Sequence, residues 1–261
     1  MFNKRKLNSG IFKEDFQLME EALKPTFFGK IDLDKILWNN QTPLMLAASL
    51  QKKNVCGFLI QKGASVDFRD EFGHTVLYIA AFHGRRDLCE FLIDNGAAIN
   101  EPNKYGSSPL EMALVQNRTE IIDLFLARGI NITDLEKLFP SSFSLKWNPD
   151  FINFLIDKGL NVNSKDINGE LCLYYSLVVT PNFEISEFLV QKGADVNTRN
   201  NYDRTLLMTT SDLGILNSCR FLLEKGADVN ALRSGKTALM LAKERGNQQI
   251  CDLLLAHGAE K

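Results

Sequence analysis

The chain has 261 residues, of which 45% are hydrophobic, and this content is ample for a packed core. Its formal net charge of −2 gives no reason to expect nucleic acid or an anionic membrane surface as the partner. The longest apolar runs, such as 76–82, are far shorter than a membrane span, and MFNKRKLNSGIFKEDF at the start lacks the apolar stretch of a secretory signal. We therefore expect a soluble cytoplasmic protein that does not enter membranes.

Residues 1–36 are expected to form an N-terminal helical cap. A helix is predicted around 13–23, and Pro25 stops it because proline cannot continue a helix. The segment that follows, FFGKIDLDKI, weakly resembles the G-x-x-V-D ending of a unit that recurs along the rest of the chain. Terminal units of a repeat array are expected to be atypical.

One pattern recurs through residues 37–261. An apolar stretch ends in glycine, which in most copies is followed by Ala-x-Val/Ile-Asx, and two copies, FLVQKGADVN at 188–197 and FLLEKGADVN at 221–230, are nearly identical. The recurring glycines are Gly63, Gly96, Gly129, Gly159, Gly193, Gly226 and Gly258, at gaps of 33, 33, 30, 34, 33 and 32 residues. A period of this length indicates one structural unit stacked on copies of itself.

The second copy shows how each unit is expected to fold. The run Asp-Glu-Phe-Gly predicts a tight turn with Gly73 at positive φ, and Thr75 then caps a short helix that ends at Gly84. A second helix buries an apolar face that includes Leu92, and Gly96 ends it in a left-handed conformation that suits glycine. Such a unit cannot bury both helix faces alone, so stacking is required.

The fourth copy, at about 133–163, is irregular. It is three residues short, and the segment up to 150 has no recognisable first-helix motif but contains Pro140 and Pro149. We therefore expect a break in regular stacking, with altered curvature, although Pro149 could still begin the second helix. One explanation is that the motif decayed and the segment has no function. The other is that the segment forms a hinge or a specialised contact built around Phe143 and Trp147.

The helix start TPLMLAA at 42–48 and the ending LLEKGADVN at 222–230 resemble the ankyrin repeat. The resemblance covers about residues 37–260 and implies an all-α ankyrin-repeat solenoid, in which about seven helix-turn-helix repeats are joined by β-turn or hairpin loops and preceded by the N-terminal helical cap. One departure is general. The histidine of the family's first helix is replaced by Met45, Tyr78, Glu111, Tyr174, Met208 or Met240.

Sites for chemistry are not expected. Four of the five cysteines stand seven residues before their repeat's glycine, which favours buried structural thiols over a zinc site or a disulfide framework. The histidines His74, His83 and His257 form no motif with a nucleophile, and the segment 234–237 has only the end of a P-loop sequence. We therefore predict no catalytic residue, no metal, no cofactor and no enzymatic activity.

The resemblance implies that turn tips and the ends of the first helices bind another protein along a concave groove. Exposed aromatic residues and arginine are usual interface anchors, although Trp38, Phe72 and Tyr105 could instead pack on adjacent turns. Counted from each repeat's motif, the candidate partner-binding residues are Trp38, Gln41, Phe72, His74, Phe82, His83, Tyr105, Ser107, Asn168, Tyr202, Arg204, Arg233 and Lys236.

The function predicted is therefore a non-catalytic scaffold for protein–protein interaction, monomeric, with a protein partner of unknown identity. Three alternatives remain open at this point. The chain could be an inhibitor or immunity-type protein that blocks one enzyme, or an effector delivered into a host cell. It could also be an enzyme whose site lies in the irregular segment 133–150. The basic residues at positions 204, 233 and 236 further suggest contact with an acidic surface.

Overall fold

A computed structural model describes residues 3–24, 31–35, 40–143 and 147–260, and the fold there is all-α. Short turns join the helices, a 3₁₀ turn lies at Leu33–Lys35, and none of the helices described is long and apolar enough to span a membrane. The helices are α1 (Lys4–Lys13), α2 (Phe16–Ala22), α3 (Pro43–Ser49), α4 (Lys53–Gln61), α5 (Val76–His83), α6 (Arg86–Asp94), α7 (Pro109–Val115), α8 (Thr119–Ala127), α9 (Ile132–Leu138), α10 (Pro149–Asp157), α11 (Cys172–Tyr174), α12 (Phe183–Gln191), α13 (Leu206–Leu213), α14 (Leu216–Glu224), α15 (Ala238–Glu244) and α16 (Gln248–Ala256).

Contacts divide the chain into two units, Met1–Ile130 and Asn131–Lys261. In the first unit α3, α5 and α7 pack side by side as a first-helix layer, and each also packs on its own second helix, α4, α6 or α8. In the second unit the first helices α13 and α15 pack side by side, and so do the second helices α14 and α16. Each first helix also packs on its own second helix, α13 on α14 and α15 on α16. The prediction of an all-α repeat fold is confirmed, while the number of seven repeats stays a prediction.

The second repeat folds as its sequence predicts. The Thr75 hydroxyl accepts a hydrogen bond from the backbone N–H of Tyr78 and so caps α5, which ends at Gly84 with φ of +74°. Leu92 of α6 is fully buried, and Gly96 follows that helix with φ of +91°. Thus the cap residue, the buried face and the left-handed glycine are confirmed for this unit.

The asparagine that ends the repeated G-x-x-V-N segment joins neighbouring repeats. Asn163 accepts a hydrogen bond from the Asp195 N–H at 2.9 Å and donates one to the Gly193 carbonyl at 2.9 Å. Asn230 makes the equivalent pair of bonds to the last repeat. A side-chain amide both accepts and donates, which explains why this residue type recurs at the position.

The described residues of segment 1–36, which the sequence predicts as a cap, contain two helices, α1 and α2, where the sequence predicted one. The helix missed is α1, whose residues include Asn8, Ser9 and Gly10 and give little helical periodicity. Its buried Leu7 and Ile11 hold it against its neighbours, and Gly10 lies so close to Met19 of α2 that an added Cβ would approach the Met19 side chain to 2.5 Å. Tertiary packing therefore forms this helix in spite of poor local propensity.

The fourth repeat also contains a helix that the sequence did not reveal. Asn131 caps α9 directly after the third repeat, with no turn tip before it, and the connection to α10 spans 139–148. As anticipated, Pro149 opens α10, capped by Asn148. Trp147 is buried, where its ring stacks on Phe139 at 4.9 Å. This tryptophan therefore fills a local core instead of forming a contact surface, and the predicted change in stacking stays a prediction.

An extra residue in the fifth repeat is absorbed by a π-helical segment, Tyr175–Val179, that continues α11. The Thr180 N–H bonds to the Tyr175 carbonyl five residues earlier, and the buried Ser218 hydroxyl donates to the Leu177 carbonyl at 2.7 Å. A π-turn holds one residue more than an α-turn, which accounts for the 34-residue spacing between Gly159 and Gly193.

Candidate protein-binding surface

Four of the turn tips that precede first helices are each held by one side-chain oxygen. Asp70 Oδ1 accepts hydrogen bonds from the N–H groups of Phe72 and His74 at 2.9 and 2.8 Å. The same two-fold acceptance occurs at Asn103, Asp166 and Asn200. Such turns fix the backbone between the accepting side chain and the two N–H groups that donate to it, and this includes the residue two positions later, such as Phe72 or Tyr105.

The tip of the last repeat uses another turn. Arg233 and Lys236 exchange both backbone hydrogen bonds, at 3.0 and 2.9 Å, around Ser234 and Gly235. Both central residues have positive φ, +49° and +76°, which is the geometry of a two-residue hairpin turn. Leu232 occupies the place of the Asx residue and is exposed.

In the first unit the predicted aromatic tips lie on consecutive, contacting turns. Phe72 is 42% and Tyr105 76% exposed, and the Phe72 carbonyl accepts a hydrogen bond from the N–H of Lys104, beside Tyr105. His74 donates from Nδ1 to Asp70 Oδ2 at 3.1 Å, and its ring lies 5.7 Å from that of Phe72. The structure therefore brings Phe72 and His74 together and leaves both tip aromatics open.

The other predicted residues of the first unit have different surroundings. Gln41 and Ser107 are half-buried, and Phe82 is exposed at the end of α5, where its ring lies edge-on to His83 at 5.2 Å. Burial, together with Arg118, lowers the pKa of His83, since both disfavour the charged imidazolium. Trp38 lies outside the described residues.

In the second unit three consecutive tips carry exposed apolar side chains. Ile167 is 85%, Tyr202 64% and Leu232 58% exposed. Asn201 packs against Gly169 of the preceding tip, and the Arg233 guanidinium donates to the Tyr202 carbonyl at 2.6 Å, so these tips are in contact. Asn168, also a predicted contact residue, is exposed beside Ile167.

Two of the three predicted cations of this unit are already paired. The Arg204 guanidinium donates to Asp212 at 2.9 Å, and Arg245 donates to the same carboxylate at 2.7 Å. The hydrogen bonds from Arg245 and then Arg204 lower the pKa of Asp212. Lys236 donates to both oxygens of Glu244. Because Arg204 and Arg245 share one carboxylate, these contacts balance only part of the positive charge expected here.

The cysteine thiols lie in the interior of the chain. All five cysteines are buried and free, as the sequence predicted, and burial raises the pKa of Cys56 and Cys89 to about 12. No cluster of three or more His, Cys, Asp or Glu side chains among the described residues could hold a metal ion. The notable surface is that of the tips and the first helices.

Sequence reasoning missed part of this surface. The Asx side chains that fix the tips are predicted only as turn formers. Counting from the repeat motif places Ile167 at the fifth tip beside Asn168 but does not select it as a contact residue, and Leu232 is not considered. A signal exists for the last two, since each is an apolar residue in a segment of otherwise polar turn residues. Tyr78 and Glu111 were noted only as replacements of a family histidine, but both are partly exposed on the first-helix layer.

Comparison with known protein families supports the repeat assignment. A family described as Ankyrin repeats (3 copies) matches residues 13–103, 44–135, 143–233 and 182–261. These matches together leave out only 136–142 between 13 and 261, inside the irregular fourth repeat. No individual curated protein matches the chain significantly. Members of this family generally serve as protein–protein interaction modules and are typically non-catalytic. The chain belongs to the ankyrin-repeat family.

Proposed function

We propose that this chain is a non-catalytic scaffold that binds a protein partner through its turn tips and the adjoining ends of its first helices. The observation that carries the proposal is the exposure of large apolar side chains on consecutive tips, Phe72 and Tyr105 in one unit and Ile167, Tyr202 and Leu232 in the other. Exposed apolar groups that recur along contacting turns are typical of an interaction surface.

The rigidity of the tips supports the same function. Side-chain oxygens fix the backbone around Phe72, Tyr105 and Tyr202, so these rings are presented with little freedom to lose on binding. A preorganised anchor binds more tightly because less conformational entropy is lost when the complex forms. The proposal includes the cytoplasmic location and the monomeric state expected from the sequence.

The test compares partner capture by the wild type and by tip variants. Proteins retained by immobilised wild-type chain are identified by mass spectrometry, and the affinity of the retained partner is then measured by calorimetry. We expect Phe72→Ala, Tyr105→Ala or Tyr202→Ala to weaken binding by about 2 kcal/mol or more where the ring is an anchor.

The matched control is Gln191→Ala on α12, whose exposed side chain lies on a second helix away from the tips. Its affinity should equal that of the wild type, and circular dichroism should show the same helix content for every variant. Equal affinities for the control and all three tip variants would show that the partner contacts another face.

A further inference from the structure

Three aromatic rings of the second repeat form a continuous strip from the tip onto the first helix. The Phe72 ring lies 5.7 Å from that of His74, and the His74 ring stacks on Tyr78 at 4.4 Å with an interplanar angle of 23°. Phe72 is exposed, and His74 and Tyr78 are each partly open to solvent. We name Phe72, His74 and Tyr78 the aromatic strip.

The strip is held in place by polar contacts at its edges. Asp70 accepts a hydrogen bond from His74 Nδ1 and fixes that ring over the tip. The N–H of Tyr78 donates to the Thr75 hydroxyl at 3.2 Å, which fixes the start of the helix that carries this ring. The rings therefore form a preorganised platform, on which a ligand would lose little of its binding energy to side-chain ordering.

Carboxylates surround this platform. Burial raises the pKa of the Tyr78 hydroxyl, and the nearby carboxylates of Glu111 and Asp70 raise it further. Within the described part of the chain neither Glu111 nor Glu71 forms an ion pair, and Glu71 accepts a hydrogen bond only from the uncharged amide of Asn40. The aromatic strip thus combines ring faces with the carboxylates of Glu71 and Glu111, for which the described residues supply no ion-pair partner.

The charge changes sign along α5. At the far end of the helix, Arg118 packs against Gly84 and, after burial, contributes to the lowered pKa of His83. Lys104 is an exposed cation on the neighbouring tip, and its side chain packs beside Gly73. Lys104 and Arg118 repel a cationic group of a ligand at the two ends. Such a group is therefore favoured between them, beside Tyr78 and the carboxylate of Glu111.

We propose that the aromatic strip receives an arginine or lysine side chain from a basic segment of the protein partner. The inference rests on the proposed function and adds the chemistry of what is bound. A guanidinium or ammonium group placed over aromatic faces is attracted by their quadrupoles, and a planar guanidinium also stacks on them. Glu111 stands on α7 at the position that Tyr78 occupies on α5, three residues after the capping residue, and these two helices pack side by side, so its carboxylate can balance the charge of the same group.

A wholly apolar segment suits this surface less well. It would cover the Glu111 carboxylate without offering it a hydrogen-bond donor, and burying an unpaired carboxylate is unfavourable. An acidic segment would add repulsion from Glu71 and Glu111. A basic residue can form a cation–π contact with the rings and at the same time balance the charge of the Glu111 carboxylate.

The experiment selects binders from a display library of random short peptides on the wild-type chain. We expect the enriched sequences to share an arginine or lysine. For the most enriched peptide, Glu111→Gln should weaken binding about tenfold and Tyr78→Leu about fivefold, as losses of a charge-assisted bond and of a cation–π contact. Lys104→Ala should strengthen binding, since it removes the repulsive cation.

The control is Glu120→Gln, an exposed position on α8 that removes the same charge from the same unit and should leave the affinity unchanged. Circular dichroism confirms that each variant is folded. The inference is overturned if no basic peptide is enriched, or if Glu111→Gln and Glu120→Gln behave alike. Peptides that require Phe72 but carry no cation would overturn it while leaving the proposed function in place. Peptide binding that is indifferent to Phe72→Ala, to Tyr105→Ala and to Tyr202→Ala would contradict the proposed function itself.

Discussion

The Oδ1 atom of Asn197 accepts a hydrogen bond from the backbone N–H of Asp228 at 2.8 Å, in the repeat that follows. The Nδ2 atom of the same side chain donates to the Gly226 carbonyl at 3.2 Å. One asparagine therefore links the backbones of two neighbouring repeats. Stability in repeat proteins depends on contacts between neighbours, so this residue type contributes to the array as well as to its own turn.

Replacing that asparagine should destabilise the protein without altering the helices. Asn197→Ala removes both bonds to the next repeat, and we expect the free energy of unfolding to fall by about 1–2 kcal/mol. The control is Asn217→Ala, at an exposed position of α14 in the same unit, which should change stability by less than about 0.5 kcal/mol. Urea titration followed by circular dichroism measures both, and equal midpoints would contradict the linking role.

A buried position and an exposed one in the first unit should respond very differently. Leu92 is fully buried in α6, so Leu92→Ala should lower the free energy of unfolding by about 2–5 kcal/mol through lost contacts and the cavity left behind. Lys104 is exposed at a tip, and Lys104→Ala should stay within about 0.5 kcal/mol of the wild type. If urea titrations gave both variants the same midpoint, the repeat register would be wrong.

Alanine substitutions at two tip glycines distinguish the cost of backbone strain from the cost of a steric clash. Gly73 and Gly106 both have φ of +81°, so an alanine at either place costs about 1–2 kcal/mol in the left-handed region. A Cβ at Gly73 would also lie 2.8 Å from the backbone nitrogen of Lys104, whereas nothing lies within 4 Å at Gly106. We therefore expect Gly73→Ala to be the more destabilising variant in thermal unfolding. The reverse order would mean that the two tips do not touch as described.

Alkaline pH should weaken the protein through its buried thiols. Burial raises the pKa of Cys89 in the folded chain to about 12, from an ordinary value of 9.0. Between pH 9 and pH 12 the thiol ionises only in the unfolded chain, and this ionisation favours unfolding. The contribution of Cys89 to the free energy of unfolding is therefore fully present below pH 9 and is lost as the pH rises towards 12. The loss of stability between pH 8 and pH 10 should therefore be smaller in Cys89→Ala than in the wild type.

The measurement is a urea titration of both proteins at each pH. The variant starts from a lower stability, because its packing is altered, so the change with pH is the quantity compared. Identical changes in the two proteins would show that Cys89 ionises in the folded chain. A maleimide reagent should also leave Cys89 unmodified at pH 8 until urea unfolds the chain, since the thiolate is the reactive form.

The sequence by itself determined the repeat, its period and the conformation of its regular parts. These features are local: Thr75 caps the helix that directly follows it, Gly96 takes a positive φ that other residues resist, and Leu92 repeats with the period of a helix face. Because each depends only on near neighbours in the chain, the residue types are sufficient to reveal them.

Only the tertiary structure decided the remainder, because it depends on contacts between distant segments. The helix α1 forms because Leu7 and Ile11 are buried, although its sequence has weak helical preference. Trp147, a plausible contact residue in the sequence, is enclosed by Phe139 and other rings. Arg204, a plausible anchor for an acidic partner, is paired with a carboxylate eight residues away. Burial and ion pairing are set by which side chains meet in space, and this determines which polar and aromatic residues remain free to bind.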